Sequence, residues 1–232
     1  MASRIPTTRS ELVYEKVRGE ILHGTLPPGS RLRFVDLANR FTVSQSVVRE
    51  ALVRLAEQGL AVALPQQGFR VRALSLADLH ELTEARVEIE ALVVRRAIAQ
   101  GDLPWESSVI AAHHTLARTP RTTRAGKINE EWVDAHEAFH AATLRGCRNG
   151  TLLSVATSLR EAASLYRWWS GGGGGAGAAA PDPDRDIALE HRQILDAVIA
   201  RDEVTAMCLI AQHIQRTTDE LSAAAVPLEA RG

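Results

Sequence analysis

His136 and His140 stand one helical turn apart, and His191 and His213 follow further along the chain. Two imidazoles four residues apart on a helix project from one face, the spacing that suits a transition-metal ion. A histidine taken singly is more often a surface residue or a hydrogen-bonded core residue, so the pair carries the metal reading. With Glu137 between them, the same residues also spell H-E-x-x-H. In zinc peptidases that pattern supplies two metal ligands and a glutamate general base, and Glu161 is a conceivable third ligand. Five positions with three fixed match often by chance, and no strand pattern lies nearby along which a peptide could bind.

The elements that must position these residues are helical. From Ser75 onward no strand pattern is visible; Ser75-Leu76-Ala77-Asp78 resembles a capping box with Asp in place of Glu or Gln, and it opens a helix to about residue 100. Further helices are predicted at about 105–118, 128–145, 151–169, 186–201 and 203–224, each stopping near a Gly, Pro or polar break. The expectation is an antiparallel all-α bundle of six or seven helices over residues 75–226. The stretch SGGGGGAGAAAPDPD interrupts it, and residues 170–186 are read as a solvated, flexible loop.

Residues 1–74 differ in kind. In TVSQSVVREALVRLAEQGL, Val48, Leu52, Leu55 and Ala56 fall at helical intervals on one face, and Gly59 stops the helix. Ser44 and Ser46 are both candidate N-caps. If Ser46 caps, Arg49 sits in the first turn, where the helix dipole disfavours a cation unless an external phosphate is its partner. A shorter helix, Phe34 to Phe41, precedes it across a turn of three residues, which makes a helix-turn-helix. Another helix is predicted from Glu11 to Gly24 with Ser10 as its cap, broken afterwards by Pro27, Pro28 and Gly29. Leu60 to Leu64 and Phe69 to Val71 flank Pro65-Gln66-Gln67-Gly68 as a hairpin, the wing of a winged helix.

Charge divides the chain at the same place. Residues 1–75 hold eleven Arg or Lys against six Asp or Glu, whereas residues 76–232 hold sixteen against twenty-two. The net charge of −1 therefore conceals a basic head and an acidic body. Such a head favours a polyanion, and DNA is the polyanion that a winged helix reads. A winged helix used only for protein contacts would instead bind DNA weakly and without salt dependence.

The segments LPPGSRL, VDLANRFTVSQSVVREALVRLAEQGL and QQGFRV resemble the GntR family of bacterial transcription regulators, FadR-type subgroup, over roughly residues 10–73. The resemblance implies that Ser44, Gln45, Ser46 and Arg49 face the major groove or its phosphates and that Gly68 lets the wing tip approach the minor groove. The family usually has Arg-Thr-Pro where this chain has Gln45-Ser46-Val47, and often an arginine where Val35 stands. Gln45 can pair with adenine as arginine pairs with guanine, so an altered base preference is expected. Arg33 is a candidate for the missing phosphate contact.

In the body, EAFHAATLRGCRNGTLL, EHRQILDAVIARD and AQHIQRT resemble the FCD ligand-binding domain, in which the residues matching His140, His191 and His213 bind a divalent metal. At His136 that family usually has aspartate. A single Asp-to-His change in such a helix also creates H-E-x-x-H, which weakens the peptidase reading. Four imidazoles without a carboxylate favour zinc or nickel over magnesium or manganese. Arg86 matches a position from which the family often projects an arginine into the pocket; its neighbours Glu84, Glu88 and Glu90 supply the plainer expectation of surface ion pairs within one helix. The resemblance favours a small organic or sugar acid as effector, held by metal and arginine, with an acyl-coenzyme A as the alternative because related regulators bind such ligands without metal. One head reads too few bases for specificity, so a homodimer on a palindromic operator is expected, and repression relieved by ligand is the commoner behaviour of the family.

The 232 residues accommodate two domains, and a composition of 45% hydrophobic and 24% charged residues is ordinary for a globular chain. No twenty-residue apolar run and no signal-peptide pattern at MASRIPTTRS is visible, so a cytoplasmic protein is expected. Cys147 and Cys208 are too few and too distant to suggest a disulfide framework.

Overall fold

Ser44 accepts a hydrogen bond from the Val47 amide at 3.4 Å and so caps the helix that the sequence places after it. The structure, a computed structural model, describes residues 8–22, 24–65, 67–125, 128–170 and 185–229. In chain order these form α1 (Arg9–Leu22), β1 (Arg31–Leu32), α2 (Phe34–Phe41), α3 (Gln45–Glu57), β2 (Ala61–Leu64) and β3 (Gly68–Val71). Six further helices follow: α4 (Leu76–Gln100), α5 (Leu103–Arg118), α6 (Glu130–Leu144), α7 (Gly150–Ser170), α8 (Ile187–Ile199) and α9 (Glu203–Glu229). The expected flexible loop falls mostly on residues 171–184, outside the described residues.

In the head, α2 ends at Thr42, which takes a left-handed conformation with φ 55 and returns its amide to the carbonyls of Ala38 and Asn39. That turn sets α3 across α2. α3 buries Val48, Ala51, Leu52 and Leu55, while Ala56, expected on that face, is only half-buried. Gly59, at φ 73, releases the chain into β2. The sheet order is β1-β3-β2, all antiparallel, with Ala61 opposite Val71 and Leu64 opposite Gly68 in the wing. β1 was not expected, because two residues carry no alternation to read. α1 also differs: the Thr8 hydroxyl accepts from the Glu11 amide at 3.1 Å, whereas Ser10 is buried. Ser10 shares the helical face of Val13, Tyr14 and Val17, and packing draws it into the core and away from a capping role.

The body is an all-helical bundle in which α4 packs on α9 and α7, and α5 packs on α6 and α8. Its core joins Val93, Val94 and Ile98 of α4 to Phe139 of α6, Ile194 and Val198 of α8 and Ile210 of α9. Trp105 fixes the end of α6: its indole N–H donates to the Ala142 carbonyl at 2.9 Å. The ring lies against Gly101 and Gly146, where any Cβ would meet it at 2.1 Å and 2.8 Å. The head core does not close on itself. It includes Leu79 of α4 and Leu165 and Tyr166 of α7, so two body helices are built into the head. Among the described residues no helix is long and apolar enough to cross a membrane.

Candidate effector and metal site and the DNA-reading face

All four histidines converge. His136 and His140 of α6, His191 of α8 and His213 of α9 offer ligand nitrogens that lie within 4.8 Å of one another, and each residue is at most 6% exposed. His140 Nε2 and His191 Nε2 are 3.2 Å apart, close to the roughly 3.3 Å separating two nitrogens that share a tetrahedral ion at 2.0–2.1 Å each. Burial lowers the pKa of His140 and His191, and the neighbouring imidazoles of His136 and His213 lower both further. Burial also lowers His213, outweighing its bond to Glu190. These rings are therefore neutral at ordinary pH and present lone pairs, the state that a metal requires.

A carboxylate orients the fourth ring. Glu190 Oε2 takes a bond from His213 Nδ1 at 2.7 Å, which leaves the other ring nitrogen for the cluster. Glu190 is itself held by Arg185 at 2.8 Å and 3.0 Å and by Arg216 at 2.9 Å. Burial pushes its carboxyl up, but His213, Arg185 and Arg216 together hold it well below the usual carboxylate range. Trp132 closes another side by stacking on His136, centroid to centroid 5.0 Å.

Beside the histidines lies a recess lined by Arg86, Arg160, His136, His140, His213, Ile214 and Thr217. Arg86 Nε bonds Glu90 at 2.7 Å. Arg160 bonds Glu90 at 3.1 Å and Glu137 at 2.8 Å. Burial pushes the Glu90 carboxyl up, yet Arg86 and Arg160 outweigh it and keep Glu90 ionised. The alternative reading of Arg86, surface ion pairing within its helix, does not describe its place: Glu84 and Glu88 are exposed, while the Arg86–Glu90 pair is buried and borders the recess. Arg160 and Glu190 were missed by sequence reasoning. A signal existed for Arg160, since Ala156 and Ala163, four residues before and three after it, are buried on the same face of α7.

The H-E-x-x-H residues do not form a peptidase centre. Glu137 is engaged by Arg160, and Glu161, the conceivable third ligand, pairs with Arg18 of α1 at 2.9 Å. Histidines from α8 and α9 take the places such a ligand would need.

On the head, Ser44, Gln45, Ser46 and Arg49 are all exposed at the start of α3. The Ser44 and Ser46 hydroxyls are 2.8 Å apart. The Arg49 guanidinium lies over the Phe34 ring, 5.1 Å from its centroid. Phe34 in turn meets Phe69 of the wing edge-on at 5.8 Å. Gly68 begins β3 at φ 84, and a Cβ there would touch Phe34 at 3.5 Å. Recognition helix and wing therefore share one aromatic support. Arg33 is exposed at the start of α2 and makes no capping bond with its side chain.

Residues 81–216 match the FCD domain, and residues 9–71 match the bacterial regulatory proteins of the gntR family. The chain is 31% identical over 201 residues to the HTH-type transcriptional repressor GlaR of Escherichia coli (strain K12), covering 87% of this chain and 90% of that protein. It is 38% identical over 212 residues to the HTH-type transcriptional repressor RspR of the same strain, covering 91% of this chain and 88% of that protein. In fold it is similar to E. coli McbR/YncC, with a TM-score of 0.76 at 20% identity over 93% of this chain and 98% of that one. A winged head ahead of a helical body is thus matched over nearly its whole length, and the chain belongs to the GntR family of transcriptional regulators, a DNA-binding protein whose body is an FCD ligand-binding domain.

Proposed function

We propose that this regulator is a cytoplasmic repressor that binds a palindromic operator as a homodimer, through residues 1–74, and is controlled by a small organic or sugar acid taken up within residues 75–226. The observation that carries the reading is the meeting of a buried four-histidine cluster with a recess that Arg86 and Arg160 line. His136, His140, His191 and His213 suit a borderline-soft divalent ion, zinc or nickel. Such an ion supplies a Lewis-acidic anchor for one carboxylate, and the two guanidiniums orient the rest of the acid. The names of GlaR and RspR as repressors support the sign of the response.

On DNA, Ser44, Gln45, Ser46 and Arg49 serve the major groove, Arg33 a phosphate and the Gly68 wing the minor groove. Coupling to the body runs through α4 and α7. α4 carries Arg86 to the recess and Leu79 into the head core, and α7 carries Arg160 to the recess and Leu165 and Tyr166 into that same core. An acid that prefers one placement of these helices shifts the head between two arrangements.

The test is footprinting of the promoter beside this protein's own gene, titrated with organic and sugar acids in zinc and in chelator. A protected palindrome that one acid releases in zinc supports the reading. Equal binding to promoter and random duplex under every condition overturns it.

A further inference from the structure

The carboxylates around the histidines are already paired with guanidiniums without an ion, in a shell that runs from buried Glu90 and Arg86 out to exposed Arg216. Glu90, Glu137, Glu190 and Glu220 are the carboxylates tied into this shell, and Arg86, Arg160, Arg185 and Arg216 are their partners. The four ring ligands add no negative charge, and among the described residues no carboxylate oxygen joins the ligand set. A divalent cation entering here would bring two positive charges into a region where each ligand is at most 6% exposed and where the four neighbouring carboxylates are already paired with arginine. Uncompensated buried charge is strongly unfavourable. Relief from within would require breaking an existing guanidinium–carboxylate pair, which strands the arginine instead.

Resting on the metal reading proposed above, we infer that metal and carboxylate effector bind as a mutually dependent pair, each supplying the charge that the other needs. The carboxylate is then the metal's missing counter-ion as well as the signal. Because binding linkage is reciprocal, an anion that tightens the metal is tightened by it to the same degree. The regulator then responds to the conjunction of the two, and neither alone fills the recess well. The residue responsible is His136. A carboxylate at that position would place one negative charge within the ligand set and relax the dependence.

The experiment titrates zinc into chelator-stripped, full-length protein by calorimetry, in chloride-free buffer held at one ionic strength with perchlorate. Acetate is the probe, and acetamide at the same concentration is its uncharged control. In the wild-type protein acetate is expected to tighten zinc by about tenfold or more, within the usual range of coupling between sites, and acetamide to leave it unchanged. In His136→Asp, zinc is expected to bind without acetate, with an acetate effect of about threefold or less. Zinc binding that is equally tight in acetate and acetamide overturns the inference while leaving the metal reading intact. Absence of zinc binding in both overturns the metal reading itself. The wild-type comparison decides the matter even if the variant folds poorly.

Discussion

Arg160 and Glu161 are consecutive residues of α7, one tied to the body and the other to the head. Arg160 bonds Glu90 and Glu137 beside the recess, and Glu161 bonds Arg18 of α1 in the head at 2.9 Å. A shift of α7 by ligand therefore reaches α1 without an intermediate element. The Arg18–Glu161 pair is partly exposed, so it contributes only about 0–1 kcal/mol to stability. Glu161→Gln should leave the melting temperature nearly unchanged. The ratio of operator affinities with and without zinc plus acetate, measured by fluorescence anisotropy, should move toward one. An unchanged ratio would show that the coupling runs through the apolar contacts of Leu165 and Tyr166 alone.

Arg49 is held over Phe34 and points from an exposed helix start. Replacing it with alanine should weaken operator binding by about 1–3 kcal/mol and lower the salt slope by about one. Gln45→Arg should move base preference from adenine toward guanine at one position of each half-site. Competition binding with base-substituted operators at fixed salt checks both. A Gln45→Arg protein that keeps the wild-type preference would remove Gln45 from the base-reading set.

Gly146 is buried, and a Cβ on it would stand 2.6 Å from the Ala97 carbonyl oxygen and 2.8 Å from the Trp105 ring. Both neighbours are fixed, the indole by its bond to Ala142. Gly146→Ala should destabilise the protein by about 1–3 kcal/mol through overpacking. Because Trp105 anchors the end of α6 that carries His140, zinc affinity should fall as well. Urea unfolding with and without zinc measures the two effects together.

The recognition helix was legible because Val48, Leu52 and Leu55 repeat at a spacing that only a helix satisfies, and the structure buries all three. The convergence of four histidines was not legible from spacing beyond His136 and His140, since His191 and His213 reach the cluster on separate helices. Family resemblance supplied them. Arg160 escaped notice because a charged residue in a long helix ordinarily faces solvent, and its burial depends on where Glu90 and Glu137 come to lie on α4 and α6. Ser10 misled for a related reason: cap preference is local, while its burial is decided by tertiary packing.

If the histidines hold a metal, zinc binds the folded state alone and raises its stability by mass action, by about 2.7 kcal/mol at a hundredfold excess over the dissociation constant. His140 lies within 3.2 Å of His191 at the centre of the cluster. His140→Ala should abolish the zinc-dependent rise in melting temperature while leaving a folded, chelator-insensitive protein. Thermal melts of both proteins in zinc and in chelator provide the comparison. An equal rise in the variant would mean that zinc acts elsewhere.

In chelator, His140, His191 and His213 have lowered pKa values in the folded protein, whereas in the unfolded chain they titrate near 6.5. Below that pH the unfolded chain binds protons that the folded protein refuses, so the unfolded state gains as pH falls. Stability is then full above about pH 7 and declines through the interval from about 6.5 to 5, with a limiting slope near 1.4 kcal/mol per pH unit for each such histidine. The ionised carboxylates Glu90 and Glu190 are also lowered, but their contribution is lost only as pH falls through and below the ordinary carboxylate range. Denaturant midpoints at pH 7, 6 and 5 therefore separate the histidines from the glutamates. A flat profile across this interval would mean that the imidazoles open to solvent when no ion is bound.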